Sequence, residues 1–153
     1  MLLSTWSREQ QIRLAWEENL LRAEMPHFQF NNRATFGNTT VNGSYTSTAN
    51  NSYSLAVWLK AGFPHQAPGL YVTSPMPLYG HNGRAIQSYG TSHFMHVWES
   101  DWNTYVKICH WRDDNWSASY TIVSVIMKGL LWLEALEAHR RTGRKIDSYS
   151  LTY

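Results

Sequence analysis

Apolar and polar positions alternate with two different periods along this chain, and the changes of period divide it. From Arg8 onward Ile12, Trp16, Leu20 and Ala23 recur at helical spacing, with Arg8, Arg13, Glu17 and Arg22 placed elsewhere on the surface. Ser7 and Gln10 stand at the two ends of a capping box, and Pro26 stops the helix. Residues 28–74 switch to the period of a strand. Val41, Tyr45 and Thr48, then Tyr53, Leu55, Val57 and Leu59, then Gly69 to Thr73 read as strands, with Asn42-Gly43 and Asn50-Asn51 as tight turns. Residues 75–108 are irregular and rich in Pro, Gly, Asn and His, the signature of a functional loop. Helical spacing then returns: Ile122, Val125, Ile126, Gly129, Leu130, Leu133 and Leu136 form one apolar stripe, while Lys128, Glu134, Glu137 and Arg141 are expected to face water. Gly143 suits the position just past the helix end.

This order predicts an α+β fold: an N-terminal helix, a four-stranded antiparallel meander, a long loop and a C-terminal helix. One domain is expected over 1–153, with its core in 7–142 and a polar tail over 143–153 that either frays or forms a short extra element.

Composition narrows the function. Eight Trp and nine Tyr imply a core of flat rings or an aromatic surface for a partner. A formal charge of +2 with no Lys/Arg run interleaved with aromatics argues against nucleic acid as a partner. No stretch approaches the ~20 apolar residues that span a bilayer, so no membrane role is expected. The first residues lack the charge-then-apolar layout of a signal peptide. With one thiol in the chain, this points to a reducing, cytoplasmic setting. His93 and His96 have a spacing two metal ligands can share, but no further compact ligand set lies near them, and no metal or other cofactor is expected.

Cys109, the only cysteine, lies in Tyr105-Val106-Lys107-Ile108-Cys109-His110-Trp111, followed by Arg112-Asp113-Asp114-Asn115 and then Trp116-Ser117. By itself it is either a buried spectator or a reactive thiol. A cysteine–histidine hydrolase would use the same residue types, although such enzymes generally set the nucleophile at a helix N-terminus, and here it precedes Trp116 by seven residues. Lys107 and His110 would favour a thiolate, and Asp113 and Asp114 would oppose it.

Three segments in order carry a resemblance: Phe63-Pro64-His65-Gln66-Ala67-Pro68-Gly69, Ile108-Cys109, and Trp116-Ser117 followed by Thr121-Ile122 and Val125. Over roughly residues 7 to 142 the chain resembles the ubiquitin-conjugating enzymes. It departs from the eukaryotic members, because Glu99-Ser100-Asp101 stands where their His-Pro-Asn lies. The stretch from Trp132 to His139, with Thr142-Gly143, is similar to shorter prokaryotic relatives from anti-phage conjugation operons, in which an upstream His often replaces that motif.

The resemblance implies that Cys109 carries a ubiquitin-like protein as a thioester and passes it to an amine of a target protein. A ubiquitin-like modifier, an activating enzyme and a target protein are the implied partners. His96, or less readily His93, and Asn103 are candidates to steady the oxyanion or the loop. Asp113 and Asp114 are candidates to receive the attacking amine's proton. Arg8, Arg13 and Arg22 are candidates to dock the activating enzyme. The alternative is an adaptor of the same fold that binds modifier or activating enzyme without carrying either.

Overall fold

The computed structural model describes residues 5–91, 94–110 and 115–149. Helix α1 (Arg8–Glu24) opens on the expected capping box: the Ser7 hydroxyl accepts the Gln10 amide and the Gln10 side chain accepts the Ser7 amide. Strands β1 (Phe28–Asn31), β2 (Thr40–Thr46), β3 (Ser52–Trp58) and β4 (Gly69–Ser74) follow as an antiparallel meander. The turn between β2 and β3 falls at Thr48–Asn50, where Asn50 takes the left-handed conformation that asparagine tolerates. Asn42-Gly43 is not a turn; both residues pair inside β2. A Cβ on Gly43 would collide with the Phe28 ring and the His27 carbonyl, so close packing of β1 explains that glycine.

Among the described residues the sheet has six strands rather than four. β5 (Val97–Trp98) and β6 (Val106–Ile108) form a hairpin whose second strand pairs with β4, giving the order β1-β2-β3-β4-β6-β5. Both lie within the stretch read as irregular, and pieces of two and three residues are too short to show a period. The fold is α+β, with a helix before an antiparallel sheet and a helix after it.

Helix α2 (Ile122–Thr142) starts on Thr121, whose hydroxyl accepts the Ser124 amide, and ends on Gly143 at φ 76°. It lies on one face of the sheet, where Gly129 lets it settle onto Leu55 and Leu70. Leu55, Val57, Leu70, Val72, Val106 and Ile108 are buried, as are Ile122, Val125, Ile126, Leu133 and Leu136 of the helix. Glu137 departs from expectation. It is buried, and one of its oxygens accepts hydrogen bonds from Ser47, Asn51 and Tyr53. Those bonds and nearby Arg140 overcome burial and hold its carboxyl below the usual range, while burial and the bond to Glu137 push Tyr53 up to about 12.

The expected inner face of α1 is rotated. Leu14, Glu17 and Leu21 are buried, whereas Ile12 is 64% exposed and Trp16 51%. The rotation is set by polar groups: Glu17 accepts the Ile122 amide at 2.9 Å, Arg13 bonds Glu17 at 2.8 Å, and Arg13 also donates to the Tyr120 carbonyl. A carboxylate at the N-terminus of α2 is favoured by the helix dipole, and Leu14 and Leu21 on either side of Glu17 supply the apolar part of the buried face. The tail forms the short extra element, a 3-10 turn over Ile146–Tyr149 with Ile146 buried. Among the described residues no helix is long and apolar enough to cross a membrane.

Candidate active site

Cys109 follows β6 directly, and its amide donates to the His96 carbonyl at 2.8 Å, extending the β5–β6 hairpin by one bond. Continuing the β4–β6 register by two residues sets Gly69 opposite Cys109. The ring of His110 agrees with that alignment, since its Nε2 donates to the Pro68 carbonyl at 2.6 Å. The sulfur is covered: Cys109 is 3% exposed. His110 is buried too, and desolvation pushes its pKa down to about 4, so it stands neutral beside the thiol at pH 7. It therefore supplies no positive charge to a thiolate, contrary to the sequence reading.

The candidate residues divide. His96 lies beside Cys109 through its backbone, but its buried ring is engaged by Asp147 of the C-terminal turn, Nε2 to Oδ1 at 2.6 Å. It adopts φ 52°, unusual outside glycine, and the Asp147 contact helps to hold it there. Its geometry suits support of the loop. Asn103 is exposed at φ 53° in the closing turn of the β5–β6 hairpin, whereas Cys109 is at the hairpin's open end, so the structure does not bring the two together. His93, Asp113 and Asp114 lie outside the described residues. Arg13 is committed to Glu17 and Tyr120 and is unsuited to docking. Arg8 is exposed, as is Arg22, whose contacts to Glu18 and Asn19 are long, at 3.9 and 3.4 Å.

Sequence reasoning missed a polar cluster on the sheet face away from α2. Tyr71 and Lys107 are register partners there. The turn after β5 folds over them, placing Trp102 against Trp58 and Tyr71 at ring separations of 5.5 and 5.2 Å. Asp101 in that turn accepts the Tyr71 hydroxyl and Lys60 Nζ at 2.9 Å, with Lys107 Nζ at 3.4 Å. Burial opposes ionisation of Asp101, but the Tyr71 hydroxyl and the two ammonium groups prevail and hold it well below the usual carboxylate range. Burial, and then the bond to Asp101, push the Tyr71 phenol far up. A Cβ on Gly69 would sit on the Tyr71 hydroxyl, so the cluster reaches the row of Cys109. Lys60 lies 11 positions from Tyr71 and 41 from Asp101, and no local pattern links them.

Asp147 was also missed, because it lies in a tail read only as polar. Among the described residues no three metal-ligating side chains come together. No protein-family model matches this chain, and no curated protein matches it.

Proposed function

We propose that this chain is a ubiquitin-conjugating-like transferase that carries a ubiquitin-like modifier as a thioester on Cys109 and delivers it to an amine of a target protein, in bacterial anti-phage defence. The observation that carries the reading is the position of the single thiol. It lies at the exit of β6, between a sheet edge pinned by His96 and Asp147 and the segment that leads into α2. That placement supports the three-segment resemblance, because the helix-entry residues Trp116 and Thr121 have structural work of their own. Trp116 Nε1 donates to the Pro64 carbonyl, tying the Pro-rich segment to the cysteine's downstream side, and Thr121 caps α2.

In the transfer step the amine nitrogen attacks the thioester carbonyl carbon. A C–N bond forms, the C–S bond breaks, and sulfur leaves as the thiolate while the amine's proton passes to solvent or a nearby base. His110, neutral and bonded to the Pro68 carbonyl, adds no positive charge at this end of β6, which suits a carrier that is loaded by a partner.

The cover over the sulfur favours a second reading, an adaptor that binds modifier or activating enzyme without carrying it. The two separate on a non-reducing gel after incubation with modifier, activating enzyme and ATP. The carrier gives a shifted band that reductant removes, that Cys109→Ala abolishes, and that Cys109→Ser converts to a reductant-stable ester. Competent partners that leave the wild type unshifted, yet are bound by it, favour the adaptor.

A further inference from the structure

A carrier that holds an activated acyl group must keep it from its own lysines, and this chain has few of them. It contains nine arginines but only four lysines, Lys60, Lys107, Lys128 and Lys145. A guanidinium stays protonated in proteins and does not serve as an acyl acceptor, so this choice of cation already removes most internal competitors.

Three of the four lysines lie around this site: the charge of Lys128 acts on His110, the residue after Cys109, and Lys60 and Lys107 belong to the polar cluster beside the row of Cys109. Lys107 precedes Cys109 by two residues on β6, a separation of roughly 7 Å along a strand. Lys60 Nζ lies 3.4 Å from the Tyr71 hydroxyl, which stands over Gly69, the residue opposite Cys109. Both ammonium groups converge on one carboxylate, with Asp101 Oδ2 at 2.9 Å from Lys60 and 3.4 Å from Lys107. Aromatic faces complete the hold: Lys60 Nζ is 3.7 Å from the centroid of Trp58, and Lys107 Nζ is 5.5 Å from that of Trp98. Both side chains are mostly covered, at 19% and 16% exposed.

We propose that Asp101 is a positioning residue that holds Lys60 and Lys107 away from the thioester, so that the acyl group on Cys109 goes to an outside amine and not to either of these two lysines. The proposal rests on the carrier reading. An ammonium has no lone pair. To attack, either lysine must leave Asp101, lose a proton and reach the carbonyl carbon; the amide C–N bond then forms as the C–S bond breaks and Cys109 departs as thiolate.

The test uses a short peptide thioester ending in Gly-Gly, with 2-mercaptoethanesulfonate as its leaving group, to load Cys109 by exchange. Loaded wild type and Asp101→Asn are then held without an acceptor, and peptide mapping follows the reductant-stable product. In Asp101→Asn, acylation of Lys60 or Lys107 is expected to rise about fivefold, the scale set by losing one partly covered ion pair. Adding Lys60→Arg and Lys107→Arg should abolish the gain, and Tyr71→Phe, which keeps both ion pairs, should not reproduce it. Equal self-acylation in loaded wild type and Asp101→Asn overturns the proposal.

A second arm does not use the thiol. Native protein is labelled with N-hydroxysuccinimidyl acetate, and Lys60 and Lys107 should react several-fold more slowly than Lys145. The wild-type ratio alone decides this arm, so it stands even if Asp101→Asn does not fold. Labelling of all three at one rate also overturns the proposal. If Cys109 takes up no acyl group from the small thioester while Lys60 and Lys107 remain protected, the clamp survives, and the carrier reading is decided by the gel with modifier, activating enzyme and ATP.

Discussion

The two faces of the sheet meet at a single peptide bond in β4. Leu70 points toward α2 and Tyr71 points away from it, and the two side chains live in different chemistry. Around Leu70 everything is aliphatic and dry: Leu55, Gly129 and the stripe of α2. Around Tyr71 lie a carboxylate, two ammonium groups and the rings of Trp58 and Trp102. The first face makes the fold stable through area and close packing. The second contributes less to stability, because each polar group exchanges water for a protein partner, but it fixes where Asp101, Lys60 and Lys107 hold their charges.

Substitution of neighbouring residues breaks this comparison most sharply. Leu70→Ala should cost about 4 kcal/mol in urea unfolding, the transfer loss plus the cavity left beneath α2. A cost below about 2 kcal/mol would mean that the helix collapses onto the vacated site.

A pH titration probes the rim, where His110 leaves β6. Its folded pKa of about 4 lies below its ordinary value of 6.5, so between those limits the unfolded chain binds a proton that the native chain refuses. Stability therefore rises with pH across that window and falls as pH drops through it, by about 3 kcal/mol at the acid limit. His110→Asn should flatten the slope of urea midpoint against pH between 6.5 and 4. Asp101 and Glu137, held below the ordinary carboxylate range, lose their contribution only as pH falls through and below that range.

On the polar face Tyr71→Phe should cost only about 1 kcal/mol in the same urea assay, despite the buried ring, because the ring itself stays. The smallest effect is expected on α1: Ile12→Ser should shift stability by no more than about 0.5 kcal/mol. A larger loss would restore the rotated face expected from sequence.

How legible each part was follows from the range of the forces involved. The capping box at Ser7, the meander through Tyr53 to Trp58 and the stripe from Ile122 to Leu136 are local patterns, and the folded chain keeps them. Residues governed by distant partners misled. Glu17 and Glu137 look like solvent charges until the Ile122 amide and the Tyr53 hydroxyl are seen to reach them. Asn42-Gly43 looks like a turn until Phe28 is packed against it. At the site, the sequence singled out Cys109 and His96, and the structure joins them through a backbone bond. It could not reveal Asp101 as the centre of a cluster, because Lys60, Tyr71 and Lys107 are assembled only by strand register and a folded-over turn.

The bond between Glu17 and the Ile122 amide spans 105 positions of chain. During synthesis at 5–20 residues per second, α1 emerges roughly 5 to 20 s before the amide it will seal. For that interval its carboxylate remains hydrated, while the hairpins behind it are already able to pair. The oldest helix on the ribosome can thus settle early against β1 and the Ala61 and Phe63 carbonyls, but its buried Glu17 lacks the amide it will accept until residue 122 is made.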